Sequence, residues 1–399
     1  MNRRELMKVA GVAGASVLAP ALAPAVWAAG AVGATGNGFL VRRLPCNPII
    51  HAGMDARMRD EAARYGYVNI NGPSLIRVPE WVEDPLGKYY LYFAHHKGEY
   101  IRMAYADDLC GPWRTYEPGV LELKDSYFPA RMPERTNVLA AAAGLWKRNP
   151  PEVAWALTRV GLAARGAVSE RKAQGSYGSD ENRPHLASPD VIIDEAGRKI
   201  RMYYHGLLED LAQMTRVALS RDGLLFQARP ELLASPYLRV FTWRGMYYGI
   251  GMPGILYRSA DGLTNFEARS GLLFGVNLRH TAIMPRGSTL LIFFSRVGDA
   301  PERIWCSAMD VSPRDWKKWR PREPVEVLRP EYDWEGAGLP VEPSIRGEIT
   351  SSANQLRDPA VFQDDGKNYL LYACAGEQAI AIAELEAGPG ADLTFVPRG

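Results

Sequence analysis

The sequence predicts an all-β fold, a five-bladed β-propeller with a helical or irregular insertion on its rim. One unit recurs five times: a short apolar run, an aromatic-rich strand after a Gly-centred turn, and a third strand ending in small residues. The copies recur at roughly forty to fifty residues, an interval typical of propeller blades. A small sheet of this kind cannot bury both faces alone, whereas sheets stacked around an axis can. Two unrelated β-sandwich domains are the alternative.

The strand pattern supports the repeat. Each run is rich in β-branched or aromatic residues and is bounded by Gly, Asp or Pro, which is typical of hairpins. The predicted opening strands are residues 71–76, 188–193, the segment from 237, 280–283 and 357–362. Residues 131–182 break the rhythm with helical spacing, and residues 326–356 break it with a loop rich in Pro and Glu. Both are interpreted as insertions in a propeller domain that spans residues 30–399.

Residues 1–29 predict an export signal. Arg3-Arg4-Glu5-Leu6-Met7-Lys8 resembles a twin-arginine motif, and the apolar run after it ends in small residues at 25–29, where a cleavage site fits. The general secretory route and an N-terminal membrane anchor are the alternatives. We expect a periplasmic or secreted protein with no integral membrane span after signal removal, because no later apolar stretch reaches spanning length.

Charge and cysteine content exclude several partners. The chain has 47 basic and 45 acidic residues and a net charge of +2, so no overall field attracts nucleic acid. The four cysteines form no Cys-x-x-Cys pair and lie near no suitably spaced histidine, so no zinc site is predicted. They are interpreted as structural thiols, with one disulfide left open. No Gly-x-Ser-x-Gly elbow, phosphate loop or dinucleotide fingerprint occurs.

Two segments resemble a known family. Residues 358–372 (Asp-Pro-Ala-Val-Phe-Gln-Asp-Asp-Gly-Lys-Asn-Tyr-Leu-Leu-Tyr) and residues 89–113 are similar to blades of the five-bladed propeller glycoside hydrolases of family 43, the arabinanase and β-xylosidase relatives. Arg357-Asp358-Pro359 is similar to a signature of the related fructosidases. The resemblance implies an inverting hydrolase of poly- or oligosaccharides. It also implies three carboxylates around a central funnel, with no required cofactor and a structural calcium ion allowed on the axis.

The chain departs from the family at the first of those carboxylates. Blade one reads Asn71-Gly72-Pro73 where the family has an Asp, and an amide cannot act as a base. Among the remaining carboxylates at strand ends, the predicted catalytic residues are Asp190, Asp358 and Glu377. Either aspartate is the candidate base and Glu377 the candidate acid, since glycoside hydrolysis needs one of each.

Other polar residues concentrate at the same strand ends. Five of the six histidines lie at blade openings or at the ends of second strands, and His51 is the exception. Neutral imidazole can bind sugar hydroxyls, move protons or ligate a metal, and the pattern leaves these roles open. The predicted substrate-binding residues are Asn71, His95, His96, His185, His205, His280 and Arg296. No metal ligands are assigned.

Two other functions remain open. A polysaccharide lyase would use His or Tyr to abstract a proton beside a uronate, and Arg296 would suit an acidic sugar. A non-catalytic carbohydrate-binding propeller would explain the missing blade-one Asp. The oligomeric state is not predicted, and the sequence leaves the sugar and its linkage undefined.

Overall fold

A computed structural model describes residues 33–34, 39–132, 151–155, 158 and 183–387. It confirms the five-bladed β-propeller, with five antiparallel sheets arranged as blades. The predicted signal at 1–29 and most of the predicted 131–182 insertion lie outside the described residues. Within those residues, no helix is both long and apolar enough to cross a membrane.

The first two blades each run outward from an inner strand. Blade 1 consists of Asn71–Arg77, Tyr89–Ala94, Tyr100–Ala106 and Arg114–Thr115, with Leu121–Glu122 also paired to its third strand. Blade 2 consists of Leu186–Asp194, Lys199–Leu207, Gln213–Ser220 and Gln227–Ala228. The fourth strands are two residues long, which limits the exposed sheet edge.

Blades 3 and 4 follow the same order. Blade 3 consists of Arg239–Trp243, Met246–Gly251, Ile255–Ser259 and Glu267–Ala268. Blade 4 consists of Leu278–Arg286, Thr289–Arg296, Ile304–Asp310 and Val325–Leu328. The first residues of the predicted 326–356 insertion therefore belong to the outer strand of blade 4. The rest forms a loop with one short 3-10 helix, Asp333–Glu335, before blade 5.

Blade 5 is built from both ends of the chain. Arg357–Asp364, Lys367–Cys374 and Ala379–Ala387 supply three strands, and Phe39–Arg43 pairs with the third. Gly33–Ala34 extends this sheet on the outside, and Ile50–His51 pairs with the end of Ala379–Ala387. The sequence analysis assigned residues 39–43 to no blade. This strand supplies the fourth strand of blade 5 from the N-terminal part of the chain and so closes the ring.

Short helices connect the closing strand to blade 1. The α-helix Ala56–Tyr65 begins at Asp55, whose carboxylate accepts hydrogen bonds from the N–H groups of Arg57 and Met58, and it ends at Gly66 in the left-handed region. The 3-10 helices are Ala52–Met54, Leu123–Asp125, Trp316–Lys318 and Asp333–Glu335. Residues 151–155 are helical, and Val153 among them is buried against blades 2 and 3.

The core lies between neighbouring blades. Each apolar cluster combines side chains from two adjacent sheets; in the first, Tyr92 of blade 1 meets Phe226 of blade 2 edge to face, with ring centroids 5.8 Å apart. Such pairs add about 0.5–1.5 kcal/mol to the free energy of burial. Packing between blades therefore supplies the apolar contacts that a single sheet lacks.

The cysteines divide into two pairs of different kinds. Cys46 and Cys110 form a disulfide, so the interpretation of all four as thiols was wrong for these two. The bond is possible because the segment after the closing strand passes the turn that follows the third strand of blade 1. Cys306 and Cys374 are buried free thiols in the core between blades 4 and 5, as expected.

Candidate functional site

The inner strands of four blades each contain a break in their pairing register. In blades 1, 2 and 5 the pairing register breaks at Gly72, Ser188 and Asp358, each of which is followed by proline. Their φ angles are 60°, 51° and 49°, in the left-handed region that non-glycine residues rarely adopt. Blade 4 breaks its register between Leu278 and Thr281. Backbone strain of this kind is concentrated at functional sites.

This equivalence separates the two candidate aspartates. Asp358 occupies the bend of blade 5, whereas Asp190 lies two residues beyond the bend of blade 2, opposite Tyr203. Asp190 accepts a 2.8 Å hydrogen bond from the Val240 N–H, and its carboxylate lies 3.5 Å from the Arg239 guanidinium. Burial raises its pKa although Arg239 opposes the shift. Asp190 therefore connects blades 2 and 3. Within the described residues it makes no polar contact with Asp358 or Glu377.

Glu377 lies in the turn after the second strand of blade 5 and is fully buried. Its carboxylate accepts hydrogen bonds from Asn69 and from Arg357 (3.0 Å) and lies 3.3 Å from His96 Nδ1. Burial by itself would raise the pKa of this carboxyl, but His96, Arg357 and Arg279 together hold it well below its ordinary value. Glu377 is therefore an ionised acceptor in a fixed network.

A hydrogen-bonded chain runs from Glu377 across the axis. His96 Nε2 lies 2.8 Å from the Tyr237 hydroxyl, and its Nδ1 faces both Glu377 and the Asn71 amide at 3.2 Å. Burial raises the pKa of Tyr237 above its ordinary value, and the Glu377 charge adds to the shift. The Tyr237 hydroxyl is therefore protonated and shares its hydrogen bond with an imidazole that contacts a carboxylate.

Aromatic rings stack on the axis beside this chain. The ring centroid of Tyr237 lies 3.8 Å from that of His280 and 4.2 Å from that of His205. His280 Nδ1 contacts Asp358 Oδ1, whereas Asp358 Oδ2 has no hydrogen-bond partner among the described residues. Neither ring nitrogen of buried His205 has a partner there either. Burial keeps the pKa of both imidazoles well below the ordinary value, so both are neutral.

Two arginines, Arg279 and Arg357, form ion pairs beside this cluster. The Arg279 Nε and the Arg357 Nε lie 2.8 and 3.3 Å from the two oxygens of buried Glu302, and Ser295 donates to Glu302 at 2.7 Å. Because Arg357 also binds Glu377, blades 4 and 5 share one network of ion pairs. Buried pairs of this kind fix geometry more than they add stability.

The other predicted substrate-binding residues lie at different distances from this cluster. His185 packs edge-on against His205, and its Nδ1 faces the Arg183 carbonyl. His95 lies between the rings of Tyr65 and Tyr67, and its Nδ1 accepts from the Lys97 N–H. Arg296 stacks over Trp305 at 4.7 Å. Within the described residues, Asn71, His96, His205, His280, Asp358 and Glu377 come together directly or through Tyr237. His185 joins them through its ring contact with His205, and Arg296 does not join them.

Sequence reasoning missed several members of the site. Tyr237 opens the third repeat, and that position was the available signal. Glu348 lies in the loop before blade 5 and accepts a 2.8 Å hydrogen bond from Tyr67, but no motif surrounds it. The residues of the site that were not predicted are Tyr67, Asn69, Lys97, Tyr237, Arg279, Glu302, Arg346, Glu348 and Arg357.

The cluster does not fit a calcium ion. Calcium takes six to eight oxygen ligands, whereas the groups around Asp358 are mainly imidazole and phenol rings. No set of three or more His, Cys, Asp or Glu side chains within the described ranges is arranged to hold a metal.

No family model matches this chain. The "Uncharacterized protein R118" of Acanthamoeba polyphaga mimivirus is 32% identical over 376 residues, which cover 88% of this chain and 91% of R118. A putative glycoside hydrolase from Parabacteroides distasonis has 13% identity and a TM-score of 0.51, covering 86% of this chain and 95% of its own.

A second solved structure has a lower TM-score. The GH43_1 enzyme from Xanthomonas citri complexed with xylose has 11% identity and a TM-score of 0.49, over 86% of this chain and 96% of its own. At such identities the likeness to the solved structures concerns the fold alone.

Proposed function

This chain belongs to the same family as mimivirus protein R118, and we propose that it is an exported glycoside hydrolase that cleaves poly- or oligosaccharides at the axial cluster. The observation that carries the proposal is Asp358, a fully buried carboxylate at a strained backbone position with one oxygen unpartnered among the described residues. Burying such a group without a donor costs free energy, so a functional reason for its presence is favoured. The fold shared with a putative glycoside hydrolase supports the proposal.

Asp358 is the proposed general base. In inverting hydrolysis the base activates a water molecule on the face of the sugar opposite the leaving group. The free Oδ2 of Asp358 is available to accept that proton, while contact of Oδ1 with neutral His280 orients the carboxylate. Tyr237, stacked on His280, limits the movement of the imidazole.

Glu348 takes the place of Glu377 as the proposed acid. A general acid must be protonated at working pH, and the low pKa of Glu377 argues against that role. Glu348 is buried, accepts from Tyr67 and has no Arg or Lys within ion-pair distance in the described residues. Glu377 is instead a positioning residue that holds His96 and Arg357.

Product analysis tests these roles. The purified mature protein is incubated with arabinan, xylan, fructan, galactan and uronate-containing glycans, and new reducing ends are measured. We expect Asp358→Asn to abolish release with an unchanged melting temperature, because the base is lost and the fold is not. Glu348→Gln retains cleavage of aryl glycosides, whose leaving groups need no acid, and loses cleavage of natural glycans.

Asp190→Asn is the matched control, because it changes an inner-strand carboxylate that faces another blade. We expect it to keep turnover while lowering the melting temperature. Full activity of Asp358→Asn would contradict the proposed base, and loss of activity in Asp190→Asn with an intact fold would return the role to Asp190.

A polysaccharide lyase is the second candidate. Elimination needs a base that removes a proton beside a uronate carboxylate, and the Tyr237–His96–Glu377 chain is one arrangement that could accept it. Products that absorb in the ultraviolet and depend on Tyr237 would favour this reaction. Sugar binding without any turnover would instead favour a non-catalytic binding propeller.

Export is part of the proposal. The twin-arginine-like segment at 1–29 supports it, as does the Cys46–Cys110 disulfide, because such bonds persist in oxidising compartments. Fractionation of cells that express the full chain tests the location. Mature protein in the periplasm or medium is expected, and its retention in the cytoplasm after conversion of Arg3-Arg4 to Lys-Lys would identify the twin-arginine route.

A further inference from the structure

Two buried cations flank the axial rings. Lys97, in the turn after the second strand of blade 1, is 7% exposed, and Arg346, in the loop before blade 5, is 8% exposed. Neither has an Asp or Glu within 4.0 Å in the part of the chain that the structure describes. A buried charge that lacks a counter-charge is costly, and a ligand that supplies the opposite charge removes that cost.

Arg346 makes its hydrogen bonds with neutral atoms, although the charge of Glu302 acts on it from beyond ion-pair distance. Its guanidinium donates to the Val276 carbonyl and lies 3.4 Å from the Met252 sulfur, so its recorded hydrogen bonds go to neutral atoms. Burial lowers its pKa to about 10, and the nearby charge of Arg279 acts in the same direction. It is therefore still a cation at neutral pH and lies close enough to Tyr237 to affect the pKa of the phenol.

Lys97 follows His96, whose Nε2 lies 2.8 Å from the Tyr237 hydroxyl. The charge of Lys97 contributes to the low pKa of His185 after burial, and to the low pKa of His205 after burial, His185 and His96. His205 stacks on Tyr237, so the charges of both cations reach the His205–Tyr237 pair. The fully buried His205 ring has no hydrogen-bond partner on either nitrogen within the described residues, as expected of a side chain that faces a ligand.

Resting on the proposed function, we propose that the substrate carries an anionic substituent, the carboxylate of a uronic acid or a sulfate ester, which binds between Lys97 and Arg346 over the His205–Tyr237 pair. Arg346 supplies a planar guanidinium that suits either oxyanion, and Lys97 supplies a point charge. The neutral imidazole of His205 can donate one hydrogen bond to the same group or to a neighbouring hydroxyl.

Calorimetry with matched sugars tests this. The full mature protein is titrated with glucuronic acid-substituted xylo-oligosaccharides, trigalacturonate and sulfated galactan oligosaccharides, each beside its carboxyl-reduced or desulfated form. We expect at least one charged sugar to bind about tenfold or more tightly than its neutral partner, with a preference that weakens as salt is raised. Which pair shows the preference distinguishes carboxylate from sulfate.

Four variants locate the preference. Arg346→Met and Lys97→Met should each reduce it about tenfold, whereas Arg346→Lys retains part of it because the charge remains. Arg314→Met removes an exposed arginine and is the control. Circular dichroism melting establishes which variants are folded, and if Arg346→Met unfolds, Arg346→Lys and Lys97→Met carry the comparison.

The outcomes separate this inference from the proposed hydrolase. Equal affinity for every charged sugar and its neutral partner, including no binding of either, would overturn the anion site, and hydrolysis of a neutral glycan would then still support the hydrolase. A charge preference that survives in Lys97→Met and in the folded Arg346 variants would also overturn it. A preference lost in those variants, without bond cleavage, would support the anion site and contradict the hydrolase.

Discussion

Gly72 of blade 1 lies directly against Ser188 of blade 2. A Cβ atom added to Gly72 would come within 2.9 Å of the Ser188 Cα, closer than real Cβ contacts permit. These two residues occupy equivalent bends, and Gly72 is the blade-one equivalent of Asp358 in blade 5. The close contact with Ser188 leaves no room for a carboxylate side chain at the blade-one bend.

The contact predicts a large cost for a side chain at position 72. Gly72→Ala should destabilise the protein by about 2 kcal/mol or more, because left-handed strain and a backbone clash add. Gly245→Ala is the control, since Gly245 has a φ of 75° with nothing within 4 Å of its added Cβ. At Gly245 we expect only the cost of backbone strain, which lowers the free energy of unfolding by about 1 kcal/mol. Urea unfolding measures both, and equal effects would contradict the clash.

The buried histidines predict a loss of stability in mild acid. Burial lowers the pKa of His205 in the folded state, so the unfolded chain takes up the proton first and stability falls as pH drops below about 6.5. His205→Gln removes this titration and should reduce the stability loss between pH 7 and 5 by about 2 kcal/mol. The exposed His51 provides the control variant His51→Gln. An identical pH profile for His205→Gln and wild type would exclude this account.

A buried ion pair links the closing strand Phe39–Arg43 to the 3-10 helix Asp333–Glu335. Arg43 binds both oxygens of Glu335 at 2.8 and 3.0 Å, and Tyr372 donates to the same carboxylate. Arg43→Met should cost about 3–5 kcal/mol, because Glu335 then stays buried without its cation. The double variant Arg43→Met/Glu335→Gln should recover part of that loss. A double-mutant cycle from chemical unfolding measures the coupling, and purely additive effects would show that the pair is not coupled.

The disulfide predicts sensitivity to reductant. Cys46 and Cys110 are 64 residues apart, and closing a loop of this length reduces the entropy of the unfolded chain by an equivalent of about 4 kcal/mol. Cys46→Ser/Cys110→Ser should therefore melt several degrees lower than wild type under oxidising conditions and match wild type in reductant. An unchanged melting temperature would show that the bond adds nothing to stability.

Local sequence pattern predicted the blades well and the site less well. Asp358 and the inner-strand starts could be found because Pro, Gly and alternating aromatics mark bends and hairpins. Asp190 was singled out because it follows Ser188-Pro189, yet the bend falls on Ser188 and directs Asp190 toward Arg239. The bend lies two residues before Asp190, and its exact position depends on the pairing register, which sequence alone does not give.

Long-range pairings explain what could not be predicted. The strand Phe39–Arg43 pairs with a strand more than three hundred residues later, and Glu348 accepts a hydrogen bond from Tyr67, which lies 281 residues before it. Neither contact produces a periodic pattern in the local sequence from which it could be predicted. Tyr237 was visible as the start of a repeat, but its contact with His96 depends on the closed ring.

The closing strand lies side by side with the last strand of blade 5 in chain order, so the propeller could be built with its chain ends at another position. Phe39 pairs directly with Ala387, so a short linker could join these two residues and new termini could be opened between two blades, such as in residues 270–277 between blades 3 and 4. Such a circular permutant would keep the four strands of every blade while making each blade from consecutive residues. In the natural order, by contrast, the strand Phe39–Arg43 is synthesised long before its partner Ala379–Ala387, so blade 5 is completed only after that partner has been made.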